Sequence, residues 1–213
     1  MSIESTREPT LELQRQIDES IAARNSNNRR GTPTSHGDGT SESSCQNANY
    51  DTAAGNENRT EPGMPPAGSR FEYMDHPADI ILHAWGDDLP QSLTNLAVCM
   101  FGYMTSLDSI AIDKTQSLDH GSNVTAQGHD LHSFIYSFLD EWLFNFHDSG
   151  FVPKELEVSE FSRDVWRMVS SGKGEIMDIK RHPQGTEVKA ITYSGMHVED
   201  REGRCDVYVV VDI

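Results

Sequence analysis

The sequence predicts an α+β fold, two helices packed on a mixed, mostly antiparallel sheet, behind a polar N-terminal tail. Two stretches, one from Asp88 to Met104 and one from Leu131 to Phe146, repeat apolar residues at helical spacing. Short runs rich in apolar and aromatic residues gather at 71–85 and again after residue 156. Late strands packed by two helices make an α+β pattern rather than a regular βαβ alternation. Composition also changes abruptly near residue 70, which divides the 213-residue chain into a tail, 1–69, and a folded domain, 70–213.

The tail contains polar runs such as RNSNNRRGTPTSHGDGTSESSCQNANYDTAAGNENRTEPGMPP. Its few large apolar side chains do not offset the entropy of ordering, so disorder is expected there. One piece, Leu11 to Arg24, has helix-forming residues, but an isolated helix of that length is marginal in water and is expected to be transient at best. The start carries Glu4, Glu8 and Glu12 without an apolar run, which fits neither a secretory signal nor an acid-poor mitochondrial presequence. No span approaches the roughly 20 apolar residues that would cross a bilayer. Three widely spaced cysteines, at 45, 99 and 205, form neither a disulfide framework nor a C-x-x-C site. The expected setting is the reducing interior of a cell, nucleus or cytoplasm, with no membrane partner.

Within the domain, Phe71 to Met74 and Ile80 to Trp85 read as two strand pieces joined by a bend at Asp75-His76-Pro77-Ala78-Asp79. Pro77 lacks an N–H and restricts His76 to extended geometry, so a ladder should break there. In the first helix Asp88 can cap and Pro90 suits the first turn. Its apolar face comprises Leu93, Leu96, Ala97, Met100, Phe101 and Met104. The second helix repeats Leu131, Phe134, Ile135, Phe138, Leu139, Trp142, Leu143 and Phe146, and Gly150 should stop it. At about 1.5 to 3 kcal/mol for each buried side chain, this helix is expected to be a principal contributor to the core. Leu156 to Phe161, Val165 to Val169, Glu187 to Tyr193 and Asp206 to Val211 read as strands, with turns at SSGKG (170–174) and HPQGT (182–186). The order is strand, helix, strand, helix and then several strands, without an internal repeat.

Charge narrows the function classes. The whole chain carries −17, and residues 70–213 hold 11 basic and 24 acidic side chains, net −13. A phosphate backbone is gripped by clustered Lys and Arg, which are missing here, so strong direct nucleic-acid binding is not expected. A cation or a basic protein suits the field better. Neither a Walker-type loop nor G-x-G-x-x-G nor G-x-S-x-G is present. Cys99, off the apolar stripe, and Cys205, at a strand start, read as structural. His129 and His132 flank Asp130 at a helix start, where the acidic residue favours the N-terminus and the histidines need only be exposed. Asp140 and Glu141 read as solvated helix charges.

The DHPAD segment leaves three readings open: an acid/base pair, oxygen ligands for a hard cation, or a polar bend satisfied by local backbone bonds. The other end of the chain bears on the choice. CDVYVVVDI brings Asp212 and Ile213 directly after a strand, and anionic groups at a buried strand's end repel unless exposed, hydrogen-bonded or bridged by a cation.

Five ordered blocks, FEYMDHPADIILHAWG, AVCMFGYMTSL, LHSFIYSFLDEWLF, HPQGTEVKAITYSGM and VYVVVDI, resemble the archease family of proteins that assist RtcB-type RNA ligases. Together they cover most of residues 71–213. Pro77 stands where the family pattern has a small hydroxyl residue. The resemblance implies a non-enzymatic activator in tRNA splicing and RNA repair, which promotes guanylylation of the ligase histidine and repeated turnover. Its partner would be an RtcB-type tRNA ligase or ligase complex. The resemblance also implies a metal site, usually calcium, carried by Asp79, Asp212 and Ile213, the last through main-chain or terminal oxygens. Oxygen-only ligands suit Ca²⁺, Mg²⁺ or another hard divalent cation better than zinc. On this reading His76 and Pro77 form the bend that aims Asp79, and Asp75 serves local hydrogen bonding around the ligand.

Two other classes compete. The same carboxylates could form a Mg²⁺-dependent hydrolase, although no nucleophile, base or phosphate loop is evident. A chaperone-like adaptor is the other, although the regular apolar faces read as core. Lys189, one of few cations in an acidic domain, is either a contact to the ligase or its nucleotide, or a surface salt bridge.

Overall fold

The computed structural model describes residues 61–75, 79–112 and 123–213. The tail up to residue 60, with its Leu11–Arg24 helix expectation, lies outside the described residues.

Phe71–Asp75 (β1) and Ile80–Gly86 (β2) form an antiparallel hairpin, so the strand expectation at both pieces holds. Leu89–Met104 (α1) follows, with Asp88 accepting from the Gln91 N–H at 2.9 Å and Pro90 in the first turn. A short 3₁₀ turn, Leu107–Ser109, leads on. Asn123–Gln127 (β3) precedes Leu131–Ser149 (α2). There Asp130 and Ser133 form a reciprocal capping box, and Gly150 ends the helix in the left-handed region at φ 72°. The remaining strands are Phe151–Ser162 (β4), Arg167–Ile176 (β5), Ala190–Ile191 (β6), His197–Arg201 (β7) and Arg204–Asp212 (β8).

The expected α+β class is borne out, with the strands divided between two sheets. One has the order β1-β2-β8-β6, with β7 also pairing β8; the other is β3-β5-β4. Every pairing among the described strands is antiparallel. The helices pack on these sheets and close one core. Leu93, Leu96, Ala97, Met100 and Phe101 of α1 and Phe134, Ile135, Phe138, Leu139 and Trp142 of α2 are all 0% exposed. Trp142 donates its indole N–H to the Ser170 hydroxyl at 3.1 Å, which satisfies both polar groups at the core's edge.

Several local expectations are corrected. SSGKG is not a turn but the middle of β5. A Cβ on Gly172 would lie 2.9 Å from Trp142 Cη2 and 3.0 Å from Phe151 Cε1, and one on Gly174 would strike the Val152 carbonyl. These glycines serve close approach within a strand, not chain reversal. The reversal lies one segment earlier, at 163–166, where Trp166 takes φ 45°, so Val165 sits in the turn and β5 begins at Arg167. The HPQGT turn is also displaced. The chain turns at 179–181, while Gln184 bridges Thr105 and the Gly185 N–H donates to the Met104 carbonyl at 2.8 Å. The strand expected over Glu187 to Tyr193 shrinks to the two residues of β6. Cys99, expected off the apolar face, is fully buried. Burial pushes its thiol upward, and burial does the same at Cys205, so neither is a ready thiolate, in keeping with a structural role.

Candidate functional site

The β2–β8 register governs what can meet at one end of the first sheet. Ile80 pairs with Val211, and extending the ladder one step sets Asp79 opposite Asp212. On the other side of β8, Ala190 pairs with Asp212, and the Lys189 N–H donates to the Asp212 carbonyl at 2.9 Å. Ile80 and Val211 point into the core, so their neighbours Asp79 and Asp212 share the outer face of the sheet by strand alternation. Like charges directly opposite each other across strands are destabilising unless something offsets them. Asp212 is exposed, and the Ile213 side chain packs against the core, which leaves only main-chain oxygens of that residue as donors.

Asp75 pairs with Ile80 at the mouth of the hairpin and so belongs to the helix-facing side, with Tyr73 and Phe71. Strand alternation therefore separates Asp75 from Asp79, a poor arrangement for an acid/base pair. His76, Pro77 and Ala78 lie outside the described residues. Among the described residues no three His, Cys, Asp or Glu side chains come together as a metal cluster. A cation at this edge would thus depend on two carboxylates supplemented by main-chain oxygens. That donor set fits a hard, oxygen-seeking ion.

Lys189 is exposed and forms no ion pair with a described residue, so the surface-salt-bridge alternative finds no partner there. The segment leading to it is firmly held. His182 is buried; its Nδ1 accepts the Asp178 N–H at 2.9 Å and its Nε2 faces Glu175 Oε1 at 3.2 Å. Arg181 Nη2 also lies 3.0 Å from Nε2, so the buried ring is held between the Asp178 backbone, Arg181 and Glu175. Burial alone would raise the Glu175 carboxyl, but the Ala111 N–H and Arg181 outweigh it and hold the group below its ordinary range. Beside this segment a cavity of about 210 Å³ is lined by Met104, Phe146, Met177, Gln184, Gly185 and Glu187.

Sequence reasoning missed a second polar assembly on the outer face. His83, 2% exposed, places Nδ1 2.6 Å from Glu72 Oε1 and Nε2 3.0 Å from Asp206 Oδ1. Its ring stacks on Tyr208 with centroids 4.0 Å apart. Arg204 donates twice to Asp206, at 2.7 and 2.8 Å. Burial would raise the Asp206 carboxyl, but the bonds from Arg204 and His83 prevail and hold it low. The carboxylates flank the imidazole on opposite sides rather than converging on a point, so the group braces three strands. A histidine and an aspartate inside otherwise apolar strands were the available signal.

The model of the archease protein family (MTH1598/TM1083) matches residues 71–213. The chain belongs to the archease family. A Danio rerio protein named "Protein archease" is 41% identical over 151 residues, which cover 70% of this chain and 88% of that one. A Drosophila melanogaster "Protein archease-like" is 40% identical, covering 68% and 90%. A Pyrococcus abyssi "Protein archease" is 30% identical, covering 68% and 99%. The solution structure of Methanobacterium thermoautotrophicum protein 1598 is 25% identical, with a TM-score of 0.45, covering 68% of this chain and 99% of that one. The archease match begins at β1 and spans every strand and helix described above. No described helix of this archease chain is long and apolar enough to cross a membrane.

Proposed function

We propose that this archease-family chain activates an RtcB-type RNA ligase in tRNA splicing without catalysing a reaction of its own. It would promote guanylylation of the ligase histidine and repeated turnover, in the nucleus or cytoplasm. Asp79, Asp212 and the main-chain oxygens of Ile213 would hold a hard divalent cation, Ca²⁺ in the first instance. The observation that carries the reading is the β2–β8 register, which supports a meeting of Asp79 and Asp212 at one sheet edge. When bound, the cation supplies fixed positive charge that offsets two opposed carboxylates and pins the hairpin loop to the last strand.

The protein's own residues prepare that edge. The β1–β2 hairpin places Asp79 just before β2, and Asp212 pairs with Ala190 of β6 directly after Val211, which pairs with Ile80. Lys189, tied by its N–H to the Asp212 carbonyl, offers a cation beside the same edge for the ligase or its nucleotide. The deciding experiment measures histidine guanylylation of the cognate ligase with and without this protein, and again after chelation. Stimulation that disappears with chelator and with Asp79→Ala is the expected result. Equal stimulation by Asp79→Ala would remove the metal from the account, and no stimulation by the natural protein would remove the activator.

A further inference from the structure

We infer that the exposed side of α2, together with Tyr193, is the face on which the proposed ligase partner lays a basic, arginine-bearing surface. The partner's identity rests on the reading above; the face itself rests on different residues. Tyr136 of α2 and Tyr193 beyond β6 stack nearly parallel, with ring centroids 4.5 Å apart and planes at 2°. Tyr193 is nevertheless 56% exposed, and Phe144, eight residues along α2 from Tyr136, is 67% exposed. Eight residues of helix rise about 12 Å. Asp140 lies midway, on the same side by helical spacing, and is exposed.

Isolated surface aromatics need no explanation, but this group differs in two respects. The tyrosine rings immobilise each other while remaining open to solvent, so little side-chain entropy remains to be lost on contact. Charge along α2 also has one sign: Asp140, Glu141 and Asp148 are exposed on it, and no Lys or Arg occurs between residues 129 and 153. The exposed His132 and His147 are the other titratable groups on that side of the helix. The nearby carboxylate has a local signature, since burial, Asp140 and Tyr193 together raise the Tyr136 phenol. Aromatic faces bordered by carboxylates attract guanidinium groups through cation–π contact and ion pairing together, and repel phosphate. An acidic domain of net −13 reinforces the choice. The connection to the proposed metal edge is short: Tyr193 follows Ile191, which pairs with Val211 next to Asp212. One partner surface could therefore cover both.

The test uses the full chain and the purified cognate ligase, with the dissociation constant measured at low and at high salt. Phe144→Ala and Tyr193→Ala should each weaken binding tenfold or more, about 1.4 kcal/mol. Tyr193→Phe, which keeps the stack, should bind like the natural protein, and Asp140→Asn should flatten the salt dependence. Circular dichroism should be unchanged, because the altered side chains lie outside the core. If the natural protein binds and both alanine variants bind equally well, the face is wrong while the activator reading stands. If the natural protein does not bind the ligase at all, both fall.

Discussion

His83 and Asp206 lie 3.0 Å apart, nitrogen to oxygen, although 123 residues separate them in the chain. The contact ties β2 to β8, and Glu72 on the far side of the imidazole extends it to β1. Asp206 also accepts both bonds from Arg204, and its carboxyl is held below the ordinary range against the opposing effect of burial. A carboxyl that is more acidic folded than unfolded binds fewer protons in the native state. It therefore contributes stability above the unfolded value of about 3.9, and that contribution is lost as pH falls through the lower folded value. Urea unfolding followed from pH 7 to pH 2 should show this acid limb, and Asp206→Asn should flatten it. At pH 7 Asp206→Ala should cost about 1 to 3 kcal/mol, because it removes the shared acceptor of the His83 and Arg204 bonds from a buried position.

A bound cation should appear as stability. If Asp79 and Asp212 share one, millimolar Ca²⁺ should raise the melting temperature of the natural protein and chelator should lower it. A ligand at a hundred times its dissociation constant adds about 2.7 kcal/mol. Asp79→Ala and Asp212→Ala should each abolish the Ca²⁺-dependent shift. Without Ca²⁺ Asp212→Ala should melt at or above the natural protein, since removing one of two opposed carboxylates relieves repulsion. Differential scanning calorimetry with and without Ca²⁺ checks both statements.

Gly172→Ala should destabilise by about 1 to 3 kcal/mol through overpacking. The added methyl meets Trp142, Phe151 and Pro153 at 2.9 to 3.1 Å. Gly174→Ala should cost more, because its obstacle is the Val152 carbonyl, which belongs to the backbone and cannot rotate away. Equilibrium urea titration of the two variants gives the order.

Asp130→Ala should lower the melting temperature by leaving helix-terminal N–H groups without their acceptor. Asp130→Asn and Asp130→Ser should recover most of the loss, since either side chain can accept from the Ser133 N–H that Asp130 now holds at 2.7 Å. Thermal melts of the three variants are sufficient.

The helices were legible because their signals are local. Asp88, Pro90 and Gly150 mark ends through their own geometry, and the spacing of Leu131 to Phe146 declares a face without reference to anything distant. Glycine was the ambiguous letter: the same residue permits a turn at Gly203, φ 75°, and close packing at Gly172, and only the position of Trp142 distinguishes the second use. β7, HVEDR, is a polar edge strand whose pairing to β8 supplies the order that its side chains do not announce. At the candidate site, the carboxylates were visible as residue types, and the family resemblance named them. Their approach depends on register between strands more than a hundred residues apart, which no local pattern encodes.

β8 lies between β2 on one side and β6 and β7 on the other, yet it is made after every other strand described here. As the nascent chain leaves the ribosome from its N-terminus, the β1–β2 hairpin waits with its inner edge open until the final segment emerges. Such distant pairing slows folding and leaves an adhesive strand edge uncovered in the meantime. Chaperone demand during synthesis should therefore concentrate on β2, and a message truncated ahead of β8 would release a product prone to clump rather than a partly working protein.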